Sequence, residues 1–425
     1  MLFDPTFDLT RTQPQLRELI SLVGEAVWRQ RVEQLLRLGG HSPAQEKIVH
    51  DYHWLEIVLG LLAFDPLGGE QTGRREVGEL VALQFAAALT EVNRRLSPKG
   101  QKALRGRLLD SLKAENGLAP LHLEMEMGML LLGEGFEIEW PDLEQSGRVD
   151  LRFKRDATTG EIECKSLSVD AGRKIHRKDF YRFIDSLGLE PGIIGDRRRI
   201  VVLTVKDRFP ADLRAQVELR EAVASLLQDG PAAQSGKFTA IVEPLEFAFG
   251  AELATTTERF HQYCRQRYGA SVHVYGGWTE RGACYVAIRS EQEDDTSLPL
   301  LDAMKKAATQ LSEGSGLIAV QFNDLPPVAL AAPHFRRRTA LLANALFHLR
   351  ASEQLAAVYY CAYGGLQRHQ GRLGTPGTLC PNPKFTGARA ELPLHRGVSG
   401  AEFAEILKVD PGTMDPDNHL YGLGL

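Results

Sequence analysis

Two short segments constrain this chain more than any others. GRVDLRF (147–153) and EIECKSLS (161–168) alternate apolar and polar residues, the period of a half-buried β-strand, and DATTG (156–160) between them reads as a turn. A hairpin is expected. Val149, Leu151, Phe153, Ile162 and Cys164 then form its apolar face, while Asp150, Arg152, Glu163 and Lys165 point the other way. Folding at this turn can bring Asp150 beside Glu163. Neighbouring carboxylates raise each other's pKa, and a divalent cation relieves the repulsion. Carboxylates suit Mg²⁺, which keeps several waters and takes further ligands from phosphate. Lys165 would stand beside such a water and stabilise charge developing on the phosphate.

The flanking pattern supports a sheet of modest size. LHLEMEMGMLLL (121–132) reads as a helix ending at Gly133 and Gly135, and FEIEW (136–140) as a strand. After the hairpin come a polar helix, IHRKDFYRFIDSL (175–187), and an apolar strand, IVVLTV (200–205). A helix over 211–228 and a strand, FTAIVEPL (238–245), extend the same sheet. Over about residues 120–205 this order resembles the PD-(D/E)XK nuclease superfamily, through GFEIEW, GRVDLRF with Asp150, and EIECK with Glu163 and Lys165. Val149 stands where the family motif has proline.

The resemblance implies a restriction-endonuclease-like mixed α/β sheet flanked by helices. It implies Asp150 and Glu163 as ligands of Mg²⁺, with Mn²⁺ as a substitute, and Lys165 as the group that positions the nucleophile. A glutamate of the preceding helix often completes such a site. Glu124 is preferred because 124, 128 and 131 share a face past the small Gly128, and Glu126 stays open as the alternative. The activity implied is hydrolysis of nucleic-acid phosphodiesters, DNA rather than RNA, with a bacterial role in restriction, defence or repair. The alternative is an inactive nuclease-like module that binds nucleic acid or protein.

Three domains are expected: a helical segment (1–115), the nuclease-like domain (116–248) and a second α/β domain (249–425). In the first, apolar residues recur at helical spacing, broken at GGHSP (39–43), DPLGG (65–69) and SPKG (97–100). In the last, SVHVYGG, ACYVAIRSE, GLIAVQF and AAVYYCAYGG read as strands, and 298–313 and 335–350 as amphipathic helices. The Gly- and Pro-rich stretch from 364 to 400 reads as loop or disorder. The flanking domains are the expected route to a homo-oligomer or a partner protein.

The net charge of −5 argues against a protein that simply coats DNA, so any nucleic-acid surface is local. From Arg148 to Arg208 there are 15 Lys and Arg against 10 Asp and Glu. Arg173, Lys174, Arg177, Lys178 and Arg182 are the densest part. Two readings of them stand open, phosphate contacts or a solvated helix face. The five cysteines form no CxxC pair, and no apolar run is long enough to span a bilayer, which implies a cytoplasmic protein without a membrane partner. HDYHWLE (50–56) lacks the spacing of a zinc protease, and GPAAQSGKF (230–238) misses the spacing of a phosphate loop.

Overall fold

The computed structural model describes residues 9–64, 77–188, 197–228, 231–249, 253–269, 271–312, 315–323, 325, 330, 333–349, 354–363, 367–369, 372–374 and 377–386. The fold is mixed α/β. The described residues divide into two compact units, one of residues up to 40, 49–169 and from 299 onward, the other of 41–48 and 170–298.

The first unit opens with helices α1 (Leu9–Val23), α2 (Glu25–Gly39), α3 (Pro43–Phe64, belonging here from 49), α4 (Val77–Arg95), α5 (Pro98–Ser111) and α6 (Ala119–Gly133). The break read at 39–43 joins α2 to α3, and that at 97–100 opens α5 at its cap and first turn. Ser97 caps α5 by accepting the Gly100 N–H. The break at 65–69 lies outside the described residues. Strand β1 (Glu137–Glu139), the short helix α7 (Pro141–Glu144), β2 (Leu151–Arg155) and β3 (Thr158–Leu167) follow. Asp156 takes a left-handed φ of 54°, and the turn between β2 and β3 is only two residues.

The second unit contains α8 (Arg177–Ser186), β4 (Arg198–Val205), α9 (Leu213–Leu227), β5 (Ala233–Gln234), β6 (Phe238–Pro244), α10 (Leu253–Tyr268), β7 (His273–Trp278) and β8 (Ala283–Ser290). Its strands form a five-stranded sheet ordered β5-β6-β4-β8-β7, with an apolar core on each face. The chain then returns to the first unit through α11 (Ser297–Ala308), β9 (Ser315–Phe322), α12 (Pro333–Phe347), β10 (Leu355–Ala362), a small hairpin of β11 (Gln367–His369) and β12 (Arg372–Gly374), and β13 (Gly377–Pro381).

The first sheet is ordered β1-β2-β3-β9-β10-β13. The strand beside β3 is therefore β9, parallel to it, and not the segment 200–205, which lies in β4 of the other sheet. Both segments are continuous apolar runs. Such a run announces a buried strand but not the sheet it joins. The expected boundaries shift accordingly. Leu112 and Leu118 sit in one continuous core with Leu151, Ile162, Leu317 and Tyr359, so no domain boundary falls at 115. Strands β7 and β8 complete the sheet of β4, and β9, β10 and β13 complete the sheet of β3. Within the stretch read as loop, β13 pairs with β10, burying Thr378 and Cys380. No described helix is long and apolar enough to cross a membrane.

Gly160 fixes the fit of the hairpin to β9. It stands opposite Phe153 on one side and Ser315 on the other. A Cβ there would lie 2.3 Å from the Phe153 ring and 2.4 Å from the Ser315 carbonyl oxygen. The backbone carbonyl cannot step aside without breaking the ladder. Gly160→Ala is expected to lose about 1–3 kcal/mol to overpacking, read as a lower midpoint in urea or heat denaturation. A variant as stable as the parent would mean that β3 and β9 do not meet this closely.

Candidate active site

The site forms where the β2–β3 ladder stops. The last registered pair is Leu151↔Ile162, and both side chains enter the core with no exposure. One step further, Asp150 has left the strand, and its Oδ2 accepts the Cys164 N–H at 2.7 Å. The side chain thus takes a backbone donor that the ladder no longer reaches. Continuing the register places Asp150 opposite Glu163. Ile162 faces the core, so Glu163 and Lys165 face the other side of β3. The charge of Asp150 acts on the Glu163 carboxyl. Lys165 Nζ donates to Glu163 Oε1 at 2.5 Å.

Helix α6 brings the fourth residue. It is buried nearly all round, and Gly128 lets it approach the sheet: a Cβ there would lie 3.2 Å from Trp140 and 3.6 Å from Leu151. Glu124, one turn earlier on the same face, is directed toward the residue before Leu151. The charge of Asp150 acts on it, and Arg107 of α5 pairs with its Oε1 at 2.5 Å. Arg107 also reaches Asp142 at 3.2 Å. Glu126 instead faces His122 at 3.8 Å. Of the two glutamates left open by the sequence, Glu124 is the one beside Asp150.

Burial dominates the electrostatics. Glu163 is 1% exposed, and its carboxyl is pushed up to about 7, first by burial and then by the Asp150 charge, with Lys165 opposing. Glu124 is pushed up to about 8 by burial and by Asp150, with Arg107 opposing. Asp150 is raised as well, chiefly by burial, while the Cys164 N–H, Arg107 and Lys165 pull it back.

Among the described residues, no three His, Cys, Asp or Glu side chains are grouped so as to hold a metal ion. The pair Asp150 and Glu163 nonetheless fits a hard cation. Glu163 Oε2 is buried with no hydrogen-bond partner among the described residues, an orphan acceptor that favours a cation. Two carboxylates suffice for an ion that retains most of its water.

The five basic candidates belong to the second unit, and the structure engages most of them. Arg177 is buried, with its backbone N–H 2.8 Å and its Nε 3.2 Å from Asp170. Arg173 lies 3.4 Å from the same carboxylate, and Lys174 lies 3.3 Å from Asp207. Lys178 is half-buried, and the exposed Arg182 stands 3.8 Å from Asp179. Arg177 is thus buried in an ion pair with Asp170. Asp170 precedes the basic run by only a few residues but pairs with it through the fold. One functional candidate escaped the sequence reading altogether. Gln310, beyond α11, touches Lys165, and no local pattern marks it.

Comparison of the chain with protein-family models, characterised proteins and solved structures gives no match.

Two expectations follow. Glu163 has its carboxyl raised from 4.5 to about 7 in the folded state, so its contribution to stability is full below about 4.5 and is lost as pH rises through 7. Glu163→Gln removes that loss. In EDTA, its midpoint advantage over the parent should widen from pH 5 to pH 8, at about 2–4 °C per kcal/mol for domains of this size. A difference that stays flat with pH would show that Glu163 is not held protonated. In the second unit, Arg177→Ala leaves Asp170 buried beside a lost partner and should cost about 3–5 kcal/mol. A loss within about 0.5 kcal/mol, the range of ordinary surface substitutions, would show that the pair with Asp170 contributes little to the fold.

Proposed function

We propose that the first unit is a metal-dependent nuclease core of the PD-(D/E)XK, restriction-endonuclease-like type, hydrolysing phosphodiester bonds of nucleic acid, DNA rather than RNA. The observation that carries this reading is Asp150, Glu163 and Lys165 at the end of one hairpin, with Glu124 of α6 acting on Asp150 and a Glu163 oxygen buried without a hydrogen-bond partner among the described residues. The order α6, β1, α7, β2, β3 and then, past the second unit, α11 and β9, with β9 parallel to β3, supports it further.

Asp150 and Glu163 would hold Mg²⁺, or Mn²⁺ in its place. When bound, such an ion lowers the pKa of a coordinated water and neutralises charge on the phosphoryl oxygens. Lys165 contributes a fixed positive charge beside Glu163, suited to orient a water and to stabilise charge that grows in the transition state. Glu124 adds a further carboxylate next to Asp150. Substrate phosphate would meet Arg107 and Lys165 as the nearest cations of the site. A second reading, a module that binds without cutting, draws on one observation: Arg107 and Lys165 already neutralise two of the carboxylates.

The test uses the full chain with labelled single-stranded DNA, duplex DNA and RNA, each with Mg²⁺, Mn²⁺ or EDTA. Cleavage is expected only with metal. Asp150→Ala and Glu163→Ala should lose cleavage and divalent-ion affinity together, since each removes an oxygen ligand. Lys165→Ala should keep the ion, measured by calorimetry, yet cut about 100- to 1000-fold more slowly. Undiminished cleavage by Lys165→Ala would refute these roles. Binding of DNA by a parent that cuts none of the substrates would favour the second reading.

A further inference from the structure

We infer that Gln310 is a positioning residue for Lys165, an inference that rests on the nuclease reading. Gln310 stands two residues past the end of α11, in the short stretch before β9. Its amide oxygen accepts from Lys165 Nζ at 3.3 Å. Its amide nitrogen donates to the Arg148 carbonyl at 3.3 Å, two residues before Asp150. One planar side chain therefore links the lysine to the segment that carries the aspartate.

The link matters because a lysine is a point charge on a flexible stem. An ammonium has three donors. Glu163 Oε1 and Gln310 Oε1 take two of them, which leaves one direction for a substrate oxygen or an attacking water. A charge fixed before the reaction needs no reorganisation in the transition state. Gln310 is itself anchored. Its N–H donates to the Ala307 carbonyl at 2.9 Å, and two residues on the Ser312 N–H donates to Glu161 Oε2 of β3 at 2.7 Å. The 310–312 stretch is thus tied to α11 at one end and to β3 at the other.

Two variants test this. Gln310→Met keeps the length of the side chain and removes both hydrogen bonds. Gln310→Glu keeps an acceptor for Lys165 and loses the donor to Arg148. In cleavage of labelled duplex DNA with Mg²⁺, Gln310→Met should lower kcat by about 10- to 100-fold, the scale of a small misplacement. KM and thermal midpoint should stay near the parent's, and Gln310→Glu should lose clearly less. A parental kcat in Gln310→Met, or equal losses in both variants, would overturn the inference while leaving the nuclease reading intact. A parent that cuts nothing would sink the nuclease reading, and a measurement independent of cleavage then decides on Gln310. Lys165 is acylated with an amine-reactive ester and its labelling is compared by mass spectrometry with that of the exposed Lys154. Labelling should rise several-fold in Gln310→Met and not in Gln310→Glu. Identical labelling of the parent and Gln310→Met would show that Gln310 does not hold the lysine.

Discussion

The candidate site depends on one hydrogen bond, from the Cys164 N–H to the Asp150 carboxylate. Strand β3 runs on to Leu167 with β9 on one side, while β2 reaches only Leu151. The amide of Cys164 is left facing the gap, and the side chain of Asp150 fills it. That bond pins the aspartate at the start of β2 and directs it toward Glu163. The register behind it is strongly held. A slip of one residue would turn Ile162 out of the core and Glu163 into it, exchanging a fully buried aliphatic for a carboxylate.

From this placement the electrostatics follow. Asp150 acts on two other carboxylates, Glu124 and Glu163, and burial weakens the solvation of each charge. The protein supplies two cations against them, from different elements: Arg107 from α5 onto Glu124, and Lys165 from β3 onto Glu163. The balance is incomplete, because Glu163 Oε2 stays without a partner among the described residues. A fully compensated network would rigidify the core and do nothing more. One that stops an acceptor short keeps affinity for a further positive charge, and perturbed carboxyls in such a setting are a usual mark of functional sites.

Period-2 alternation made the hairpin legible, because each face of a strand writes its environment into every second residue. Leu151, Phe153 and Ile162 are buried as that pattern requires, and the same pattern put Asp150, Glu163 and Lys165 on the opposite face as candidates. The choice between Glu124 and Glu126 was not readable. A helix buried nearly all round has no polar stripe to mark its direction, and the contact that decides is Gly128 against Trp140. The partners of the basic run from Arg173 to Arg182 were not readable either, for a different reason. Composition counts charges but not their partners, and Asp170 accepts hydrogen bonds from Arg177 at the closed end of that run.

The strand beside β3 was also hidden, and for a general reason. Antiparallel neighbours can be joined by a two-residue turn, so adjacency in sequence becomes adjacency in the sheet. Parallel neighbours need a crossover of a dozen residues or more, and nothing in the geometry sets an upper limit. The entropy of closing a connection grows only with the logarithm of its length. The path from β3 to β9 can therefore carry all of residues 170–298, with their own sheet and their own cores, at little extra cost to the closure itself. Once those residues can satisfy their own strands, β4 has no need of an edge on the first sheet. Its parallel partner is β8 and its antiparallel partner is β6. Local alternation thus determines the hairpin that bears the carboxylates. The element that completes their surroundings, from Gln310 into β9, is set by a long-range pairing that no local pattern encodes.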